Sequence, residues 1–263
     1  MKRAVGLVLT FALAAGMLPA SAGAVVTVGS DAGSHLGPVT RRSAGPAVRP
    51  RAPGDVRALR PPILWDRIPF GAKRRKQTAG YSKRHYGEWT WRLSEPQVIV
   101  EHYTDGTTWQ GAWSWFASNT RHNGERPGTC SHFLIDTDGT IRQLVRLNIR
   151  CRHAVGMNHT AIGIEHVGTS DRMVLNNDRQ MRSSLRLTRW LMARFEINIG
   201  NVIGHRETLE SPLRFELDPT WRCLVHADFP RRAMRAYRAR LRAVLVRRGV
   251  PAGPGPHWVD PGC

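Results

Sequence analysis

The sequence predicts a single α/β domain with a mixed central sheet flanked by helices. Short apolar, β-branched runs alternate with amphipathic stretches of helical period, as expected of strands interleaved with helices. The runs over 132–136 and 140–145 are joined by Thr137-Asp138-Gly139, which is typical of a β-hairpin. The hairpin requires at least one antiparallel pair and excludes a purely parallel sheet. No glycine-rich phosphate loop follows a strand, so the local sequence gives nucleotide binding no support.

The other elements follow from periodicity. An apolar run over 97–103 and the Gly-bounded run over 161–168 are expected strands, and 202–203 is a short one. Trp109, Trp113 and Phe116 recur at helical spacing. Two longer amphipathic patterns predict helices over 177–195 and 229–248.

The net charge and the N-terminal sequence limit the class of partner that the protein can be expected to bind. The 263 residues contain 39 Lys and Arg against 20 Asp and Glu, a net charge of +19 that favours binding to polyanions. Residues 1–24 resemble a signal peptide, with a basic start, an apolar segment and cleavage after Ala22 or Ala24. Secretion favours anionic cell-wall polymers over nucleic acid as the partner. We expect no transmembrane segment once the signal is removed.

Composition also sets the expected domain boundaries. Residues 25–76 are rich in Pro, Gly, Ser and Arg, and are expected to form a mostly disordered linker or pro-segment. The folded domain is expected over 77–248, followed by a Pro/Gly-rich tail over 249–263. No heptad seam or internal repeat is visible, and we expect a monomer.

Four cysteines in an exported chain favour disulfides over a metal knuckle, since none forms a close Cys-x-x-Cys pair. Three connectivities are possible. We favour Cys130–Cys151, which flanks the predicted hairpin, together with Cys223–Cys263.

Glu165 is the most informative single residue, because a carboxylate interrupts a strand whose side chains should be buried. His102 and His205 each follow an apolar strand, and Asp228 follows a loop. Zinc hydrolysis needs three such ligands and a base that takes a proton from water. Each residue also has a structural interpretation: a hydrogen-bonding histidine, a helix-capping Asp228, or a salt-bridged Glu165. Strand alternation predicts that His166 points away from Glu165.

Five stretches, in order, resemble the zinc-dependent type 2 N-acetylmuramoyl-L-alanine amidases, which share a fold with peptidoglycan recognition proteins. The stretches are 98–104 (VIVEHYT), 131–141 (SHFLIDTDGTI), 153–156 (HAVG), 161–165 (AIGIE) and 202–205 (VIGH). The resemblance spans roughly residues 80 to 245.

The resemblance implies a role for each candidate residue. His102, His205 and Asp228 would be the Zn²⁺ ligands, and Glu165 the catalytic acid/base. His226 takes the place of a family Lys that stabilises the oxyanion of the tetrahedral intermediate. His132 and His153 would line or brace the cleft.

The sequence departs from the family pattern in three respects. The spacing from His205 to Asp228 is longer than usual, and a His replaces the Lys, which leaves open whether His205 or His226 binds the metal. Ser131 stands where some members carry a catalytic Tyr, so more weight falls on Glu165.

The function implied is that of a secreted, cell-wall-associated zinc amidase that hydrolyses the bond between N-acetylmuramic acid and L-alanine in peptidoglycan. Two alternatives stay open. One is a non-catalytic module of the same fold that binds muropeptides. The other is a basic secreted protein that acts on membranes or nucleic acid through its Arg-rich helix.

Overall fold

Six strands form one sheet in the computed structural model, which describes residues 53–263. The predicted signal peptide and the first part of the predicted linker lie outside the described residues. The strands are β1 (Leu64–Trp65), β2 (Val98–Tyr103), β3 (Phe133–Ile135), β4 (Ile141–Gln143), β5 (Ala161–His166) and β6 (Val202–Gly204). Their order across the sheet is β1-β4-β3-β5-β2-β6. Only the β3–β4 hairpin is antiparallel, so the predicted mixed sheet is confirmed.

Six α-helices accompany the sheet. They are α1 (Pro53–Ala58), α2 (Ala72–Tyr86), α3 (Trp109–Ser118), α4 (Asp171–Asn176), α5 (Asp178–Phe195) and α6 (Arg231–Arg247). Asn177 ends α4 and caps α5, since its side-chain oxygen accepts from the backbone N–H groups of Arg179 and Gln180. Residues 199–201 and 205–210 form 3₁₀ turns on either side of β6.

Side-chain alternation buries β2 and β5 on both faces. Ile99, Ile162 and Ile164 pack in a core that includes Leu191 of α5 and Tyr237 of α6. On the opposite face, residues such as Val98, Val100 and Ala161 form a second apolar cluster. This double burial explains why both strands are apolar along nearly their whole length.

The region 53–76 corrects the predicted domain boundary. It was expected to belong to a mostly disordered linker, yet it contains α1, β1 and the first residues of α2. β1 pairs in parallel with β4, and the backbone N–H of Ile68 donates to the carbonyl of Leu144 at 3.0 Å. The described part of the domain therefore begins upstream of residue 77.

Both favoured disulfides, Cys130–Cys151 and Cys223–Cys263, are present. The tail has no helix or strand, but the N–H groups of Ile199 and Gly200 donate to carbonyls of Ala252 and Pro254 at 2.8 and 3.1 Å. No helix within residues 53–263 combines the length and apolarity needed to cross a membrane.

Candidate metal centre and cleft

The candidate site lies at the carboxyl ends of three parallel strands. β2 lies between β5 and β6, and His102 near its end is in register with Glu165 of β5. His205 follows β6 directly. In open α/β sheets, ligands bind outside the carboxyl ends of the strands. The topology thus brings together His102, Glu165 and His205, although the first and the last are more than 100 positions apart in the sequence.

Gly204 explains how Asp228 joins them. A Cβ built on Gly204 would lie 1.9 Å from the carbonyl oxygen of Phe229, so only glycine lets the two backbones come this close. The N–H of Arg206 then donates to the carbonyl of Asp228 at 2.9 Å. The Gly-His pair therefore supplies both a side chain of the site and the room for the segment that carries Asp228.

Three side chains meet in a compact cluster. Nδ1 of His102 lies 3.0 Å from Nδ1 of His205 and 3.1 Å from Oδ2 of Asp228. Nδ1 of His205 lies 3.0 Å from Oδ1 of Asp228. One ligand atom from each residue can be chosen so that all lie within 4.8 Å of one another.

Hydrogen bonding to His153 fixes the tautomer of His102. Nε2 of His153 lies 3.3 Å from the carbonyl of Ala161 and donates to it. Nδ1 of a neutral His153 is then an acceptor, and Nε2 of His102 donates to it at 3.0 Å. This leaves the Nδ1 lone pair of His102 directed into the cluster. Gly163 makes the arrangement possible, since a Cβ there would lie 2.8 Å from the His153 ring.

The protonation states suit a cation. Burial, aided by His205, lowers the pKa of His102 to about 4, so its ring is neutral at pH 7. Burial alone would raise the pKa of Asp228, but the neighbouring His205 outweighs burial and holds this pKa well below its usual range. The cluster therefore presents neutral imidazole nitrogen and anionic oxygen together, which is the donor set that zinc prefers in catalytic sites.

The cluster also has suitable dimensions. Tetrahedral zinc with ligand distances of about 2.0–2.1 Å separates its ligands by about 3.3 Å. The observed separations of 3.0–3.1 Å are slightly smaller, so a modest expansion would accommodate the ion. The three residues fit Zn²⁺ in type, charge state and spacing.

Glu165 faces the same cleft and makes no side-chain hydrogen bond with any described residue. It is 8% exposed, and its Oε2 is buried without a partner. Burial, with a contribution from the charge on Asp228, raises its pKa to about 8. A carboxyl group in these surroundings can both take and release a proton near neutral pH.

The cleft has a volume of about 690 Å³ and is open to solvent. His226 lies on its wall and stacks on His205, with the ring centroids 4.7 Å apart. Burial and then His205 lower the pKa of His226, so its ring is neutral at pH 7. Trp115 and His122 also line the cleft, and neither was predicted from the sequence as a site residue.

The segment that carries His226 and Asp228 lacks regular structure and is held by Arg214. Its guanidinium donates to the carbonyls of Val155 at 2.8 Å, Arg222 at 3.0 Å and Leu224 at 3.0 Å. Sequence analysis missed Arg214, because one Arg among 39 basic residues carries no distinguishing signal.

Two other histidines lie outside the cluster. His132 is a brace: it donates to the carbonyl of Ile149 at 2.9 Å and accepts from the N–H of Gly163 at 3.1 Å. His166 points to the opposite face of the sheet from Glu165, as strand alternation predicted, and donates to the carbonyl of His102 at 2.8 Å.

Comparison with known proteins agrees with this architecture. The family model for N-acetylmuramoyl-L-alanine amidase matches residues 92–220, which include β2 to β6, His102, Glu165 and His205. This match assigns residues 92–220 to the type 2 amidase family. N-acetylmuramoyl-L-alanine amidase A of Achromobacter lyticus is 29% identical over 109 residues. That alignment covers 41% of this chain and 58% of the relative, so the chain spans just over half of the length of this amidase.

Solved structures of amidases and endolysins also align with this chain. The endolysin N-acetylmuramoyl-L-alanine amidase LysCS from Clostridium intestinale is 21% identical, with 73% of this chain and 97% of that chain covered and a TM-score of 0.41. A mutant endolysin from Bacillus subtilis is 23% identical, with 68% and 98% covered and a TM-score of 0.42. Membership of the family rests on the sequence match rather than on these superpositions.

Proposed function

We propose that the protein is a zinc-dependent N-acetylmuramoyl-L-alanine amidase that cleaves peptidoglycan between N-acetylmuramic acid and L-alanine. The main support is the clustering of His102, His205 and Asp228 in one cleft. The same cleft holds the carboxyl group of Glu165, which makes no side-chain hydrogen bond with a described residue. Family membership supports the choice of substrate.

His102, His205 and Asp228 would hold the ion. When bound, Zn²⁺ supplies Lewis acidity, which polarises the amide carbonyl and makes water more acidic. Glu165 takes a proton from the attacking water as its oxygen bonds to the carbonyl carbon. Glu165 then delivers that proton to the L-alanine nitrogen as the C–N bond breaks. His226 donates a hydrogen bond to the carbonyl oxygen as negative charge develops there.

Two features of the site support these roles for the metal ligands and for Glu165. His153 directs the lone pair of His102 into the cluster, and a ligand oriented by a second hydrogen bond is typical of zinc sites. Glu165 has no hydrogen bond that would compete with proton transfer. The proposal assigns the metal to His205 rather than His226, since the latter stacks on its neighbour from outside the cluster.

The test is hydrolysis of purified peptidoglycan. New L-alanine amino termini should appear with the zinc-loaded protein, disappear with a chelator and return when zinc is restored. Binding of muropeptides without release of amino termini would contradict the proposal and favour the non-catalytic alternative. We also propose that the protein is secreted and acts at the cell wall as a monomer. A signal peptide over 1–24 can be checked by N-terminal sequencing of the exported protein.

A further inference from the structure

A second groove, separate from the cleft, is lined in part by the segment upstream of the predicted domain. It has a volume of about 470 Å³, and no residue lines both cavities. Its chemistry is set by two tryptophans and four arginines: Trp65, Arg67, Arg75, Trp91, Arg92 and Arg146.

Three of the guanidinium groups stack on the tryptophan rings. Arg67 lies over Trp65 at 4.7 Å from the ring centroid, and Arg75 and Arg92 lie over Trp91 at 4.6 and 4.4 Å. Stacking restricts each guanidinium while leaving its N–H edge free for bidentate contact with an oxyanion.

The positive charges in the groove lack acidic partners. None of the four arginines has a carboxylate of the described residues within 4.0 Å. The nearby acids are already paired, Asp66 with Arg142 and Glu88 with Arg150. Four unneutralised cations around one concavity repel one another, and an anionic ligand would relieve this repulsion.

The backbone around the groove is fixed. The N–H of Arg150 donates to the carbonyl of Trp91 at 2.9 Å, and the N–H of Leu93 donates to the carbonyl of Asn148 at 3.1 Å. On the other wall, the N–H of Asp66 donates to the carbonyl of Gln143 at 3.1 Å. The groove is therefore held open without a ligand, which lowers the cost of binding.

We propose that this groove binds an anionic glycan, a polymer that carries both phosphate groups and sugar rings. The arginines would contact the phosphates, and the exposed tryptophan surface would pack against sugar rings; Trp65 is 43% exposed. This site goes beyond the proposed hydrolysis and would tether the protein to its surroundings whether or not the cleft cleaves an amide.

A basic groove between α5 and α6 provides a matched control. It is lined by arginines including Arg182 and Arg186, but no aromatic residue lines it. A ligand attracted by net charge alone would use both grooves. A ligand recognised by the tryptophan–arginine stacks would use only the first.

The experiment is calorimetric titration of the full chain with glucosylated poly(glycerol phosphate), neutral dextran and a single-stranded DNA oligomer. The phosphate glycan should bind the wild type and dextran should not. Arg75→Ala/Arg92→Ala should weaken binding by about fivefold to thirtyfold, since two exposed charge contacts are lost. Trp91→Ala should weaken it by a similar factor, and Trp65→Ala provides a second aromatic test should the first variant melt early.

The control Arg182→Ala/Arg186→Ala removes the same charge and should change the affinity less than about twofold. Equal losses in the two double variants would overturn the proposal in favour of bulk charge. Unchanged binding by every groove variant would also overturn it. DNA binding as tight as glycan binding, and equally sensitive to the groove variants, would replace the glycan with nucleic acid.

Discussion

The two faces of the β2–β5 pair carry the same residue types and use them differently. On the cleft face lie His102 and Glu165; on the helix face lie Glu101 and His166. Burial raises the pKa of both glutamates to about 8. The pKa therefore does not distinguish the candidate catalytic carboxyl group from the structural one.

Side-chain hydrogen bonding does distinguish Glu101 from Glu165. Thr188 donates to Glu101 at 3.0 Å and lies 2.8 Å from the hydroxyl of Tyr237. That hydroxyl is 2.7 Å from Ser184, which is 2.8 Å from Nε2 of His166. Through His166, this network holds the carbonyl of His102 from behind the sheet. One oxygen of Glu101 is bonded in it, while the other, Oε2, is buried without a hydrogen-bond partner. On the cleft face, Glu165 has no such partner and borders open space.

The largest expected effect separates the two glutamates. Glu165→Gln should lower kcat by about 10²- to 10⁴-fold, because the proton acceptor is lost while the metal ligands remain. Glu101→Gln should retain most of the activity, because it acts only within the buried network. Amide hydrolysis by both variants at equal zinc content measures this. Equal losses would mean that the two faces are not functionally distinct.

The next effect concerns the histidines of the cleft. His226→Ala should keep zinc but lower kcat by about 10²-fold, because one donor to the developing oxyanion is removed. His122→Ala, which changes another cleft histidine away from the cluster, is the matched control and should be milder. Loss of zinc in the His226 variant would make His226 the ligand instead of His205.

A smaller effect is expected behind the sheet. Tyr237→Phe should lower the free energy of unfolding by about 1–3 kcal/mol, because Ser184 and Thr188 lose a shared buried partner. Urea unfolding measures this, and Tyr103→Phe serves as a control without a buried hydroxyl network. Near-wild-type zinc affinity in the Tyr237 variant would agree with a purely structural role. Unchanged stability would argue against the network.

The smallest effect concerns His85, a buried histidine whose pKa is raised rather than lowered. Burial acts to lower the pKa of His85, but hydrogen bonds to Glu125 at 2.8 Å and Glu216 at 2.9 Å outweigh it and raise the pKa above 6.5. Other charged or titratable groups also lie around His85 and its two glutamates. They are Arg84, which bonds to Glu125, together with Tyr81, Tyr86, Arg152 and Arg214.

A raised folded-state pKa fixes the sign of the pH dependence. The stabilisation by His85 should be complete below pH 6.5 and should decline as the pH rises through the folded-state value. Unfolding free energies measured from pH 5 to pH 9 should show this decline in the wild type. His85→Gln should be less stable at pH 5 and should lose that component of the slope. An identical slope in the variant would contradict the assignment.

The sequence predicted the central strands well because their signal is apolar and regular. β2, β5 and α5 follow directly from their periodicity. It missed α2, because that helix packs through polar residues: buried Arg74 donates to the carbonyls of Phe116 at 2.7 Å and Thr129 at 3.0 Å. β1 has only two residues, too few for any periodic signal.

Some residues of the candidate site could be predicted from local sequence patterns, and others could not. Strand ends pointed to His102 and His205, and the buried carboxylate drew attention to Glu165. Asp228 and His226 lie in an irregular segment. Residue chemistry made Asp228 a candidate oxygen ligand, but the role of His226 came only from the family resemblance. Their approach depends on the glycine at 204, the bonds of Arg214 and the Cys223–Cys263 disulfide, and none of these has a local pattern that reveals its partner.

The most direct test of the account is the zinc stoichiometry and affinity of the wild type and of Asp228→Ala, measured by competition with a metal-sensitive dye. We predict one zinc ion per chain in the wild type and an affinity at least about tenfold to a hundredfold weaker in the variant. The fold should be unchanged by circular dichroism. A wild type that cannot be loaded with zinc, or a variant that binds it equally well, would contradict the metal centre.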